Sequence, residues 1–214
     1  MRQAIFFDWD GTLADSMDLC LAEVAEALRT VGHPPVTEAE LRACNGPTPA
    51  ESCGFFGLEG ERAEAYLQAR HDAQLRLIPG RQKLYPGVAE ALRRLKARAS
   101  LHIVSNGLRD YVYASVRSTG LDGLFDSIEA GRPELTKGQL LGQMLADVRP
   151  DRAILVGDRQ GDIRAALENS LPAIAVRYGY GTEAEFAGAA RIADTVEEME
   201  TLLTDWAETE RERS

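Results

Sequence analysis

The sequence predicts an α/β fold, a doubly wound parallel sheet whose first strand is followed by an inserted α-helical domain. Two features of the 214-residue chain carry that expectation. From Tyr85 onward, short apolar runs alternate with amphipathic stretches of about ten residues, the pattern of parallel strands joined by right-handed helical crossovers. One similar run stands alone earlier, at Gln3 to Asp8, separated from the others by a stretch with helical periodicity only. The core domain is therefore expected over 1–14 and 85–214, and a helical cap over 15–84.

In chain order, the strand Gln3 to Asp8 runs into the turn-forming Asp10-Gly11-Thr12, and Met17 to Val31 repeats apolar residues at helical spacing. Thr37 with Glu40 forms a capping box for a second helix, and Glu59 to Leu77, rich in Ala, Glu, Arg and Leu, predicts a longer one. After Tyr85-Pro86-Gly87 the spacing predicts helix 88–97, strand 101–105, helix 109–118, strand 127–130, helix 137–147, strand 153–157, helix 162–169 and strand 172–176. Thr195 with Glu198 opens a last helix, and Arg211 to Ser214 reads as a frayed, charged end.

Composition narrows the function classes. The longest apolar runs, such as Ala4 to Phe7 and Leu171 to Val176, fall far short of the about 20 residues that cross a bilayer. Met1-Arg2-Gln3 leads at once into a strand, without the zones of a signal peptide, so a cytoplasmic location is expected. A net charge of -10 and a pI near 4.9 argue against nucleic acid polymers and anionic membranes as partners. A small anionic substrate would then need a locally positive pocket. Cys20, Cys44 and Cys53 lack a paired spacing and read as small apolar fillers, and His33, His71 and His102 share no metal-ligand pattern.

Three polar segments end predicted strands: Asp8-Trp9-Asp10, Ser105-Asn106-Gly107 and Gly157-Asp158. In a doubly wound sheet, ligands bind beyond the carboxyl ends of the strands, so the three are expected to share one site. Asp8 and Asp10, two apart on extended chain, can point the same way, and two adjacent carboxylates separate into one ionised and one protonated group. As an isolated Asp-Gly turn the pair would carry no chemistry. It gains weight from Asp158 and Asp162, which supply further hard oxygen ligands, so that Asp8 and Asp158 together could bind magnesium. Asp162 also suits the N-terminus of a helix, and both roles stay open. Thr136 and Gln139 form a capping box that puts Lys137 in the first turn of a helix, where the macrodipole disfavours a cation unless something anionic compensates. Ser105, Asn106 and Gly107 offer a hydroxyl and closely spaced N–H groups able to hold phosphate oxygens.

Taken together, Asp8-Trp9-Asp10-Gly11-Thr12, Ser105-Asn106, Lys137 and Gly157-Asp158-Arg159-Gln160-Gly161-Asp162 resemble the four motifs of the haloacid dehalogenase superfamily of phosphatases, in order and over nearly the whole chain. The resemblance implies a Rossmann-like core with a helical cap and a magnesium-dependent phosphohydrolase acting on a small phosphorylated metabolite. It implies Asp8 as nucleophile, Asp10 as acid and base, and Lys137 as the catalytic cation. Magnesium would be held by Asp8, Asp158 and the Asp10 carbonyl, with Asp162 beside them. Thr12 would orient Asp10, and Ser105 and the Asn106 amide would hold the phosphoryl oxygens. Asp10 speaks against dehalogenation, because a departing halide needs no proton.

Gly46-Pro47, Tyr85-Pro86-Gly87, Thr136-Lys137-Gly138, Gly157-Asp158-Arg159 and Tyr178-Gly179-Tyr180-Gly181 are similar to the phosphoglycolate phosphatase and 5'-nucleotidase-like branch. Lys137-Gly138 and Arg159 depart from the Lys-Pro and Ser or Thr of many relatives, which blurs the substrate. The cap would close over the site, with Asn45 and Gly46 in its substrate-contacting loop. Alternatives are 5'-nucleotidase or pyrophosphatase activity, a sugar phosphomutase, for which Met17 to Val31 lacks the expected histidine, and a non-catalytic phosphate-binding regulator. Phosphonate cleavage would need a cap lysine, for which Lys83 and Lys96 are poorly placed. The assembly state, monomer or homodimer, is left open.

Overall fold

A computed structural model of the chain describes residues 2–43, 49–132 and 134–209. It divides into two compact units, Met1–Asp15 with Leu84–Ser214, and Ser16–Lys83.

The first unit is built on six parallel strands: β1 (Gln3–Phe7), β2 (Ser100–Ser105), β3 (Ser127–Ala130), β4 (Arg152–Gly157), β5 (Ala173–Val176) and β6 (Arg191–Ala193). Their spatial order is β3-β2-β1-β4-β5-β6. The chain winds outward from β1 through β2 and β3, then returns to the other side of β1 and winds outward again. That reversal places the topological switch point between β1 and β4. β1 is buried on both faces, as expected of a central strand in a doubly wound sheet.

Helices α5 (Val88–Lys96), α6 (Arg109–Ser118), α7 (Lys137–Val148), α8 (Gln160–Glu168) and α9 (Val196–Glu208) belong to this unit. Here α1 to α4 denote the helices of the second unit. Ala4 and Phe6 join Leu140, Leu141 and Met144 of α7 and Ile163 and Ala166 of α8 in one buried layer. Residues of the opposite parity face the other helices: the Gln3 amide donates to Ala207 O in α9, and the Trp9 indole donates to Ser115 Oγ in α6. Strand alternation at β1 therefore assigns Asp8 to the α7 and α8 side of the sheet.

The second unit is helical: α1 (Met17–Thr30), α2 (Glu38–Ala43), α3 (Pro49–Phe55) and α4 (Gly60–Arg81). Cys20, Val24, Leu28, Cys53, Phe56 and Tyr66 are among the buried side chains of its core. Cys20 and Cys53 are buried in this core, as fillers should be, and Cys44 lies outside the described residues. The core also encloses a polar chain, in which Arg70 donates to Glu23 at 2.9 Å and to Ser52 at 3.1 Å, and Gln74 donates to Glu23 at 2.8 Å.

Several element bounds differ from expectation. The long helix predicted over Glu59 to Leu77 runs as Gly60–Arg81 and passes through Pro79, which the last turn accommodates while Gln82 N–H closes it on Ile78 O. The helix expected at 162–169 begins at Gln160, because Arg159 N–H donates to the Asp162 carboxylate at 2.9 Å and makes Asp162 the third helical residue rather than the first. β6 was not predicted, since three residues cannot display alternation. The Thr37–Glu40 and Thr136–Gln139 capping boxes form, whereas at the last helix Thr195 accepts from Glu198 N–H but the Glu198 carboxylate turns to Asp194 N–H. Among the described residues no helix is long and apolar enough to cross a membrane.

Candidate active site

Register fixes the first pair of carboxylates. Phe7 lies level with Val156 across the β1–β4 pair, and Asp8 N–H donates to Val156 O at 2.9 Å, so Asp8 and Asp158 leave adjacent strands side by side at the switch point. Helix α8 follows at once and returns Asp162 to the same place. Among the described residues, Asp8, Asp158 and Asp162 each offer a carboxylate oxygen, and these oxygens lie within 4.8 Å of one another. All three are buried.

Lys137 balances part of that charge. At the first position of α7 its ammonium reaches Asp8 Oδ1, and Asp162 Oδ1 at 2.5 Å, which is the compensation its place at a helix N-terminus demands. Burial disfavours the charged amine, yet Asp162 and Asp8 together hold its pKa above the ordinary lysine value. Asp8 is itself pushed well above the usual carboxylate range, first by burial, against the pull of Lys137, and then by repulsion from Asp162 and Asp158. Burial and Asp162 raise Asp158 to about 7. Asp8 Oδ2 has no protein donor among the described residues.

Asp158 is gripped by its surroundings. Thr12 Oγ1 donates to its Oδ1 at 3.4 Å, and Tyr180 N–H donates to its Oδ2 at 2.7 Å. Two glycines permit this grip. Gly11 has φ +84, and a Cβ there would strike the Asp158 carboxylate and the Tyr180 ring, while a Cβ on Gly181 would strike Asp158 O. The Tyr178-Gly179-Tyr180-Gly181 segment is thus the backbone wall behind Asp158.

The second carboxylate of the first motif behaves differently from expectation. The chain bends at Trp9, so the alternation of the strand does not continue to Asp10. The Asp8 carboxylate turns to α7, whereas Asp10 Oδ1 accepts from the Tyr111 hydroxyl of α6 at 2.6 Å. Asp10 entered the metal set through its carbonyl, and its carboxyl stands apart from the three-aspartate cluster. Thr12, expected to orient Asp10, gives its hydroxyl to Asp158 instead.

Ser105 is buried at the end of β2, and its Oγ accepts from Gly107 N–H at 3.1 Å. In this structure the Gly107 N–H is engaged within the loop. The lack of a side chain at Gly107 also matters, because a Cβ there would crowd Val112 at 2.9 Å and Tyr111 at 3.3 Å. Asn106 is exposed at the tip of the turn. Asn45 and Gly46 lie outside the described residues. The departures in sequence have local reasons: Gly138 leaves room for the Glu168 carboxylate, and Arg159 pairs with Glu185 at 2.8 Å.

Tyr111 was missed by sequence reasoning. Its signal was available as a hydroxyl in the first turn of the helix that follows Ser105-Asn106-Gly107, four residues before Ser115 on the same helix face.

The donor set fits a small divalent cation. Three clustered, buried carboxylates face one ammonium, hard oxygens suit magnesium, and the burial and mutual repulsion that displace Asp8 and Asp158 upward are what such an ion would offset.

Comparison with known proteins agrees with this geometry. Residues 5–176 match the family described as haloacid dehalogenase-like hydrolase. The chain is 33% identical over 193 residues to the phosphoglycolate phosphatase of Synechococcus elongatus, covering 87% of this chain and 89% of that one. It is 28% identical over 186 residues to the tyrosine-protein kinase PtkA of Mycobacterium bovis, covering 84% of this chain and 63% of the other. Among solved structures, a predicted phosphatase from Clostridium acetobutylicum superposes with a TM-score of 0.86 at 25% identity, covering 96% of this chain and 99% of that one.

Proposed function

Because the chain belongs to the haloacid dehalogenase-like hydrolase family, we propose that it is a magnesium-dependent phosphohydrolase that cleaves a small phosphate monoester through an aspartyl phosphate on Asp8. The observation that carries the reading is the buried Asp8, paired with Lys137 and clustered with Asp158 and Asp162 at the switch point.

In the first step Asp8 Oδ2 attacks phosphorus, the bond from phosphorus to the ester oxygen breaks, and Asp10 gives its proton to that oxygen. In the second, Asp10 takes a proton from water, the water oxygen bonds to phosphorus, and the bond to Asp8 breaks, releasing phosphate. Lys137 offsets the charge of Asp8 and of the phosphoryl group, and the Ser105 hydroxyl and Asn106 amide hold phosphoryl oxygens. Magnesium, when held by Asp8, Asp158 and the Asp10 carbonyl with Asp162 beside them, would supply positive charge against the phosphoryl oxygens.

The helical unit Ser16–Lys83 is assigned the role of cap, and the cytoplasm is the proposed compartment. Phosphoglycolate is the first substrate to try, on the strength of the relative from Synechococcus elongatus. The test is phosphate release from a panel of small phosphates, with and without magnesium, by the parent and by Asp8→Asn. Magnesium-dependent release by the parent alone is expected. Equal release from both proteins would remove Asp8 as nucleophile, and none from either would sink the phosphohydrolase reading.

A further inference from the structure

We propose that Tyr111 is the positioning residue for Asp10, holding its carboxyl so that Oδ2 exchanges the proton with the leaving group. The inference rests on the phosphohydrolase reading and adds to it a residue outside the four motifs.

Three observations converge on α6. The Tyr111 hydroxyl donates to the half-buried Asp10 at Oδ1, 2.6 Å away, and the tyrosine itself is only 4% exposed. One helical turn later, Ser115 Oγ accepts from the Trp9 indole at 2.7 Å with both residues fully buried. Consecutive residues of the chain beyond β1 are thus fastened to two positions, four apart, on one face of one helix. Finally, Gly107 allows the first turn of α6 to close on the loop, since a Cβ there would meet Val112 and Tyr111. The bend at Trp9 has taken Asp10 off the strand, so strand geometry no longer sets its rotamer, and Thr12 is engaged with Asp158. A short donor on a rigid helix constrains the χ1 and χ2 of Asp10. Because the Ser105-Asn106-Gly107 turn leads directly into α6, the element that orients Asp10 also anchors the loop proposed to hold phosphate.

Proton donation matters in proportion to the basicity of the departing oxygen. An alkoxide cannot leave without a proton, whereas a nitrophenolate can. Tyr111→Phe removes the donor and keeps the ring. The measurement is kcat/KM of the magnesium-loaded parent and Tyr111→Phe on an alkyl phosphate and on p-nitrophenyl phosphate, with Asp8→Asn and Asp10→Asn alongside. We expect Tyr111→Phe to lower kcat/KM about 10- to 100-fold on the alkyl ester and less than about 3-fold on the aryl ester. In the Asp10→Asn background the same change should cost nothing further. The ratio between the two esters is independent of how much variant is folded, so partial misfolding cannot mimic the result. If Asp8→Asn is inactive while Tyr111→Phe keeps the parent's ratio, only the role of Tyr111 falls. If Asp8→Asn releases phosphate as the parent does, the phosphohydrolase reading falls and takes this inference with it.

Discussion

Lys137 shows how a single side chain makes an otherwise repulsive site possible. Three carboxylates within 4.8 Å of one another are buried together, and burial drives Asp8 and Asp158 toward their neutral forms. The ammonium between Asp8 and Asp162 keeps ionised states accessible, and it can do so because the Thr136–Gln139 capping box fixes the start of α7. Removing a buried partner leaves the other charges uncompensated, which costs more than the pair contributes when intact. Lys137→Met, close in length and uncharged, should therefore lower unfolding stability by about 3 kcal/mol or more near pH 8. The deficit should shrink toward about pH 5, where the stranded carboxylates take up protons instead. Denaturant titration at the two pH values reads both terms, and a deficit equal at both would show that Lys137 acts through packing alone. The residue scale was the most legible in sequence: a lysine at the first turn of a capped helix asks for an anion, and the anions are Asp8 and Asp162.

At the scale of elements, the sequence announces helices and buried strands through periodicity and caps, and falls short where neither signal exists. β6, with only Arg191-Ile192-Ala193, owes its existence to the edge of β5, and the first turn of α8 owes its to a bond between Arg159 N–H and Asp162. The same limit explains the site residues. Asp8, Lys137 and Asp158 sit at ends of elements that periodicity defines, so their meeting could be read from topology. The partner of Asp10 depends on a bend at Trp9 and on which face of α6 meets it, which no spacing rule gives. Caps that are legible should also be measurable. Thr136→Ala removes the acceptor for Gln139 N–H and should cost about 1 kcal/mol. Because α7 carries Lys137, its loss should also reduce phosphate release, whereas Thr195→Ala, the equivalent change at α9, should reduce stability alone. Equal retention of activity by both variants would argue that the start of α7 is held by packing and not by its cap.

For the molecule as a whole, the strand order β3-β2-β1-β4-β5-β6 gathers the aspartate cluster at the carboxyl ends, and other buried polar groups lie away from it. His102 is one of these. It lies in β2, 2% exposed, stacked on Phe6 with ring centroids 4.9 Å apart, with its nitrogens on Ser127 Oγ at 2.8 Å and Ser100 Oγ at 2.9 Å. Burial lowers its pKa from 6.5 to about 4; Asp126 nearby opposes that shift and Lys96 reinforces it. The unfolded chain therefore binds a proton at this histidine over a range where the folded protein does not. The sign follows from linkage: stability from His102 is fully present above pH 6.5 and is lost as pH falls toward about 4. Asp126, buffered against burial by its bonds to Lys96 and Leu101 N–H, is held below its ordinary carboxylate value and loses its contribution at still lower pH, outside that window. His102→Gln retains an amide that can bond a serine hydroxyl but does not titrate. Its thermal midpoint should fall less, or rise more, on acidification from about 6.5 to 4 than that of the parent, even though the midpoint itself is lower from imperfect packing against Phe6. A slope unchanged by the substitution would assign the acid sensitivity to groups other than His102; Asp8 and Asp158 run the opposite way, since their raised pKa values favour the folded state at lower pH. The two slopes therefore oppose each other across the same range, and removing His102 should uncover a molecule whose midpoint is flatter, or even rises, as the medium is acidified from 6.5.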